Sequence, residues 1–181
     1  MRRLGPADYR AMPWKDGGGS TTELLIHPPG ASLAGDFLWR ISMADVPASG
    51  PFSRFPGVDR SLMVLSGALE LDHGEHGTQL LEGPLRPVAF SGDWATSGRL
   101  LGGPCRDFNV LSARGRARHR LSVLAAPAPL PRAQVLVVVC LEGTLEIAGQ
   151  VLGPLDLLEW EGGGEARGDG VMAVVELTTS S

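Results

Sequence analysis

The feature that most constrains this chain is a repeat of its own turns. Leu65–Leu71 reads LSGALEL, and Leu141–Ile147 reads LEGTLEI. Each is followed by a polar hairpin and then by a second matching stretch, PLRPVAFSG (Pro84–Gly92) in the first copy and PLDLLEWEG (Pro154–Gly162) in the second. An apolar stretch closes each copy, DFNVLSA in one and MAVVELT in the other. Order and spacing agree, with a longer hairpin in the first copy. A repeated unit of short strands and glycine turns means two related β-modules in one chain.

The rest of the sequence fits that reading. Gly (25) and Pro (14) are spread along the 181 residues, with short Val-, Leu- and Ile-rich segments between them. This is the pattern of an all-β sandwich or barrel. In FLWRISMADV, Phe37, Trp39, Ile41 and Met43 share one strand face, and Leu38, Arg40, Ser42 and Ala44 share the other. An Arg and a Ser on one face are either solvated or turned into a polar pocket. Ser61–Leu65 is apolar on both faces and is expected to be buried on both. Gly67 then turns the chain, and ALELD is expected to return as its hairpin partner. In CRDFNVL, Asp107 and Asn109 share one face, and Phe108 and Val110 the other. Only a short helical turn, near residues 6–11, is expected. The proline-rich APAPLPR suggests a division into residues 1–125, carrying a pocket, and 126–181, completed by strands from the N-terminal part.

Composition narrows the function. The net charge is −4, and no basic stripe with interleaved aromatics occurs, which argues against nucleic acid. No apolar run approaches membrane-spanning length. The N-terminal residues lack the apolar core of a signal peptide, so a cytoplasmic setting is expected. The two cysteines form no disulfide framework. Cys140 ends the run VLVVVC and reads as core. Cys105, beside Arg106, reads as a strand-start thiol, with reactivity as the alternative.

Motifs for chemistry are sparse. His73 and His76 sit with Glu75 at a hairpin tip, which excludes water poorly; His27 stands before two prolines and His119 in a basic run. All four read as surface residues, with no zinc-site spacing. GGGSTTE lacks the lysine of a phosphate loop. Gly17, Gly18 and Gly19 form either a tight turn or an anion-binding nest of amides, and Trp14 and Lys15 beside them suit a planar anion. No nucleophile elbow is present. Glu23, Asp59 and Asp107 are candidate acids or bases if desolvated, and ordinary ion-pair partners otherwise.

Two repeated β-modules suggest a bicupin, two jelly rolls packed as one unit. Five stretches together resemble the HutD/Ves family: PWKDGGGSTTE (Pro13–Glu23), FLWRISMADV (Phe37–Val46), GPFSRFPGVDRSLMVLSG (Gly50–Gly67), FSGD (Phe90–Asp93) and GPCRDFNVL (Gly103–Leu111). The resemblance implies a compact bicupin, often dimeric, associated with bacterial histidine-utilisation loci and binding a small pathway metabolite without turning it over. The chain departs from the family pattern at Asp16, where the family has Asn, and at Leu111–Ala113. Metal-binding cupins resemble one another in carrying a Gly, an HxH pair and a Glu ahead of a V-L-x-G turn. Here Gly50 and Val64–Gly67 fit that frame, but Phe, Pro, Gly and Val of FPGVDR fill the ligand positions. No His lies between Gly50 and Gly67, and a divalent metal needs three or four well-placed ligands.

The expectation is therefore an all-β bicupin without metal or cofactor that binds a small anionic organic metabolite and forms a homodimer. Arg40 and Arg60 would pair the ligand carboxylate through the guanidinium fork, with Ser42 beside them. Trp14, Phe52 and Phe55 would supply apolar walls, and Lys15 with Gly17, Gly18 and Gly19 would close one side. Asp107 and Asn109 would bond a polar edge or hold the arginines, and Glu23 and Asp59, the latter next to Arg60 in the chain, would complete the ligand-binding set. No residue is assigned a catalytic role. The rival reading is a metal-independent isomerase or lyase using Asp59, Asp107 or Glu23. A third is a structural protein with a filled first module.

Overall fold

Among the described residues, short β-rich runs between glycine and proline turns fold as nineteen strands, all paired antiparallel. The computed structural model describes residues 1–15 and 18–180. Asp16 and Gly17, the latter an expected site residue, lie outside the described residues. The chain starts with β1 (Arg2–Leu4) and a 3-10 turn at Pro6–Asp8, where a helical turn was expected. There follow β2 (Arg10–Pro13), β3 (Ser20–His27), β4 (Trp39–Val46), β5 (Gly50–Pro51), β6 (Val58–Ser66), β7 (Leu69–Asp72), β8 (Thr78–Leu81), β9 (Val88–Ser91), β10 (Ser97–Leu100) and β11 (Cys105–Ala113). The remainder is β12 (Ala117–Ala125), β13 (Ala128–Leu130), β14 (Val135–Glu142), β15 (Leu145–Ile147), β16 (Gln150–Leu152), β17 (Leu157–Trp160), β18 (Gly164–Gly168) and β19 (Val171–Thr179).

Two units result, one of residues 10–115 and one of residues 1–9 with 116–181. The boundary precedes residue 125 because β12 pairs along its whole length with β19. The first unit has a six-stranded sheet, β2-β3-β4-β11-β6-β9, and a four-stranded sheet, β5-β10-β7-β8. The second has a five-stranded sheet, β1-β17-β14-β19-β12, and a four-stranded sheet, β13-β18-β15-β16.

The internal repeat is visible in these orders. β6 pairs β9 and β11 as β14 pairs β17 and β19; β7 pairs β8 and β10 as β15 pairs β16 and β18. Even the irregularities coincide. The β6–β11 register slips past Leu65, and the β14–β19 register slips past Leu141. Leu85 and Leu155, the Leu of each Pro-Leu pair, both take positive φ (68° and 67°). Each donates its N–H back to the long strand, to Val64 O at 2.9 Å and to Cys140 O at 2.7 Å.

The expected β6–β7 hairpin does not form. At Gly67 (φ +82°) the chain crosses into the other sheet, where β7 pairs β8 and β10. A Cβ on Gly67 would lie 2.8 Å from both Cys105 Cβ and Pro104 O, so backbone and strand touch there. Between the two sheets of the first unit, Val46, Leu62, Val64, Leu69, Leu71, Leu81, Phe90 and Cys105 form a core. The corresponding core of the second unit includes Leu136, Val138, Cys140, Leu145, Ile147, Leu152, Met172 and Val174. Both cysteines are buried free thiols, and burial raises each above its ordinary value. No helix among the described residues is long and apolar enough to cross a membrane.

Gly67→Ala should lower stability more than Gly115→Ala. Both residues have nearly the same positive φ (82° and 81°), but Gly115 faces open space. The shared backbone cost is about 1–2 kcal/mol; the excess at Gly67 is the clash. Equal urea midpoints for the two variants would show that the close contact contributes nothing.

Candidate functional site

One face of the six-stranded sheet carries the polar residues. Antiparallel pairing sets Arg40, Leu111 and Arg60 in a row across β4, β11 and β6. The next row is Ser42, Asn109 and Leu62, and the next Ala44, Asp107 and Val64. Directly paired residues share a face, so this single face gathers Arg40, Ser42, Asp107, Asn109 and Arg60. Glu23 joins it from β3, opposite Ser42, at a bulge before Leu25. The relative exposures of Arg40, Arg60, Asp107 and Asn109 are only 4%, 6%, 1% and 7%.

Burial on this scale requires partners. Arg40 Nε donates to Glu23 Oε2 at 2.7 Å. Arg60 Nη2 donates to Asn109 Oδ1 at 2.9 Å, and Asn109 Nδ2 donates to Asp107 Oδ1 at 2.5 Å. Asn109 is thus a bridge between cation and acid. Arg60 Nη1 reaches Ser53 O at 3.1 Å. Around the Arg60 guanidinium stand three rings, with centroids 4.9 Å (Phe90), 5.2 Å (Phe55) and 5.8 Å (Phe52) from its carbon. Arg60 Nε is buried with no hydrogen-bond partner among the described residues.

Electrostatics follow from this enclosure. Burial pushes the Asp107 carboxyl up to about 7, against the opposing pull of Arg60, Asn109 and the Ala44 N–H. Burial lowers Arg60 to about 10, against Asp107, with Arg40 adding to the decrease. Arg60 still carries its charge at neutral pH.

The other expected site residues are placed differently. Phe52 and Phe55 do stand against Arg60. Asp59 does not join them, because neighbours on a strand point to opposite faces; its carboxylate pairs with Arg114 Nε at 2.8 Å. Trp14 donates from Nε1 to Thr21 Oγ1 at 2.9 Å and packs on the core, and Lys15 is exposed. A Cβ on Gly19 would lie 2.7 Å from the Trp14 ring and 2.6 Å from Asp45 O, so this glycine has a packing role. Gly18 and Gly19 line an open cleft of about 510 Å³ with Ser20, Asp45, Pro104 and Arg106. That cleft shares no lining residue with the Arg40–Arg60 cluster.

Sequence reasoning missed Phe90 and misjudged His73. Phe90 sits opposite Arg60 in the β6–β9 register, which no single-strand pattern reveals. His73 was expected on the surface but is 2% exposed. Its Nδ1 lies 2.8 Å from Thr96 Oγ1 and its Nε2 3.0 Å from Gln79 Oε1, with Phe90 and Trp94 against its ring. The hairpin tip folds over it, and His76 stacks on Trp94 at 4.4 Å. Among the described residues no group of three His, Cys, Asp or Glu is placed to hold a metal ion. The positions that would supply ligands in a metal cupin hold Val58, a core residue, and the exposed Pro56, whose hydrocarbon side chains offer a metal no donor atom.

A family model described as HutD matches residues 6–174. The chain belongs to the HutD family. An uncharacterised 21.2 kDa Pseudomonas putida protein, named for its place in the hutC 3′ region, is 38% identical over 189 aligned positions, covering 98% of this chain and 97% of that one. Protein Ves of Escherichia fergusonii is 32% identical over 121 positions, covering 64% of this chain and 61% of its own. The HutD structure from Pseudomonas fluorescens SBW25 superposes with a TM-score of 0.85 at 34% identity, covering 99% of each chain. The relationship spans both units, so the fold is shared with the HutD structure along the whole chain.

The buried acid gives this HutD chain a pH signature. An Asp near 7 when folded and about 3.9 when unfolded binds its proton more readily in the folded state. Its contribution to stability is therefore full below about pH 4 and is lost as pH rises toward 7. Asp107→Asn should flatten the fall in melting temperature between pH 4.5 and 7.5. A wild-type profile whose slope the substitution leaves unchanged would show that Asp107 is ionised throughout.

Proposed function

We propose that this protein binds a small carboxylate metabolite at Arg60, without a metal, and serves a regulatory role in histidine and urocanate breakdown. The observation that carries this reading is a comparison of the two copies. By register, the positions of Arg60, Asp107 and Asn109 are taken in the second unit by Leu136, Met172 and Val174. All three belong to the second unit's apolar core. The same strand pairings are thus built there from apolar residues. The polar group in the first copy is not required by the fold, and burying it is costly. Buried charged groups with displaced titration cluster at functional sites.

The chemistry supports an anion. Glu23 offsets Arg40, while Asp107 is drawn toward its neutral form, so the positive charge of Arg60 is not fully matched. Arg60 also has an unspent N–H in an apolar surround of three phenyl rings. A flat carboxylate would supply both the charge and the acceptor. The pathway assignment draws on the family and on the relative named for the hutC region. A second reading, a metal-independent isomerase or lyase, draws on Asp107, an enclosed acid held near neutrality beside a cation.

Calorimetric titration with urocanate, histidine and formate should give binding by at least one of them. Arg60→Lys, which keeps the charge and loses the fork, should weaken that binding about 10-fold or more. Equal affinities for wild type and variant would overturn the assignment of Arg60. Mass analysis of the recovered compound separates the two readings: an unchanged compound supports binding, and an altered one supports catalysis.

A further inference from the structure

Arg60 is nearly sealed from solvent, so anything that reaches it must first move part of the protein. What lies over it is the strap Phe52–Gly57, between β5 and β6. Phe52 and Phe55 cover the guanidinium, and Ser53 O accepts from it. The rest of the strap, Ser53, Arg54, Pro56 and Gly57, is exposed and adds nothing to the core. Only Phe52 and Phe55 of the strap pack on the core, each half-buried, so the segment opens at lower cost than the sheet beneath it.

The ends of the strap are tied by Phe52 N–H donating to Thr96 O at 2.9 Å and Arg114 N–H donating to Gly57 O at 2.8 Å, and the densest fastening is at the turn after β9. Phe55 N–H donates to Gly92 O, and Gly92 N–H to Val58 O, each at 2.8 Å. Gly57 N–H donates to Asp93 Oδ1 at 2.8 Å. Arg54 donates to Asp93 O from Nε at 3.1 Å and from Nη2 at 2.6 Å. Arg114 closes the group, with Nη1 on Asp93 Oδ2 at 2.5 Å, Nε on Asp59 Oδ1 at 2.8 Å and Nη2 on Ser91 Oγ at 2.8 Å. The fit is close: a Cβ on Gly92 would stand 2.5 Å from Phe55 O. Asp93 is the common member, holding a strap amide with one oxygen and Arg114 with the other. Its side chain is 42% exposed, so water competes for each bond and the fastening is reversible.

We propose that the Phe52–Gly57 strap is the door to the Arg60 site and that Asp93, together with Arg114, is its clasp. The proposal rests on the reading of Arg60 as the ligand's anchor. Asp93 is a positioning residue; it touches the strap and not the ligand. Arg114, the Gly57 N–H and Ser91 hold its carboxyl down to about 2, so acid does not release the clasp in the ordinary range. Opening is a thermal fluctuation whose frequency the clasp sets.

The test needs no ligand. The full chain is treated with phenylglyoxal, an arginine reagent, and peptides are mapped by mass spectrometry over time. In the wild type Arg60 should react slowly. In Asp93→Ala it should react at least about 10-fold faster, the change expected when one or two charge-assisted bonds are lost. Arg118, in the other unit, serves as the control. Asp93→Asn keeps an acceptor for Gly57 N–H and loses the charge, so it should fall between the two. Hydrogen exchange should quicken at the amides of Phe55 and Gly57 and stay unchanged at Leu62 and Val110. An Arg60 rate unaffected in both variants overturns the door. So does faster exchange throughout β6 and β11, which would mean general loosening. Faster Arg60 modification in a protein that binds no carboxylate would leave the door standing and remove the reading on which its purpose rests.

Discussion

The arrangement around Arg60 depends on how a guanidinium is kept in a nearly dry place. An isolated charge there would be unaffordable. Three phenyl rings face it with their negative π surfaces, which attract a cation without hydrating it. Asn109 then turns its carbonyl to Arg60 and its amide to Asp107. An amide in this position transmits polarity between two charged groups and keeps them from forming a direct, self-satisfied pair. A direct Arg60–Asp107 bridge would have used up the cation. With Asn109 between, part of the field of Arg60 remains available.

The duplicated fold explains how the chain tolerates this. Each copy builds the same strand order around a core, with the same slip in register and the same left-handed leucine. The second unit fills its inner face with Leu136, Met172 and Val174. The first unit has apolar packing only in part, through Leu62, Val64, Leu69 and Leu71, and gives the rest of its inner face to charge. Side chains at equivalent positions therefore separate what the strand pairing needs from what a site needs. That separation is stronger than any argument from a single barrel, where a buried Arg could be a tolerated accident.

The sequence made strand faces legible because alternation is a local property. Arg40, Ser42, Asp107 and Asn109 were assigned to shared faces correctly, and the repeat revealed the second module. What was not legible depends on pairing between distant strands. Phe90 lies under Arg60 only because β9 runs beside β6, and Asp93 meets Gly57 only because the turn after β9 returns to the strap. His73 looked like a surface residue because its neighbours are turn formers; the tertiary contacts of Thr96, Phe90 and Trp94 bury it. Asp59 was grouped with Arg60 by adjacency, against the alternation that puts adjacent residues on opposite faces. The β6–β7 hairpin failed for a related reason: Gly67 permits a turn but does not choose which sheet the chain enters.

The stretch between Gly50 and Gly67, where a metal cupin would keep its ligands, supplies aromatic cover and a cation in this chain. The exchange has a physical consequence. A metal ion offers open coordination positions, and its occupancy can be changed by removing it. A guanidinium anchored on a central strand stays in place and stays charged at physiological pH. On the proposed reading of Arg60 as an anchor, control over the site comes from its surroundings, through the charge of a neighbouring acid or through access. Asp107 can supply the first because burial has moved it toward neutrality. The strap can supply the second because its two phenyl rings, half-buried where its other residues are exposed, stand against the cation. The same rings that make the cation bearable in the closed state also block the way to it.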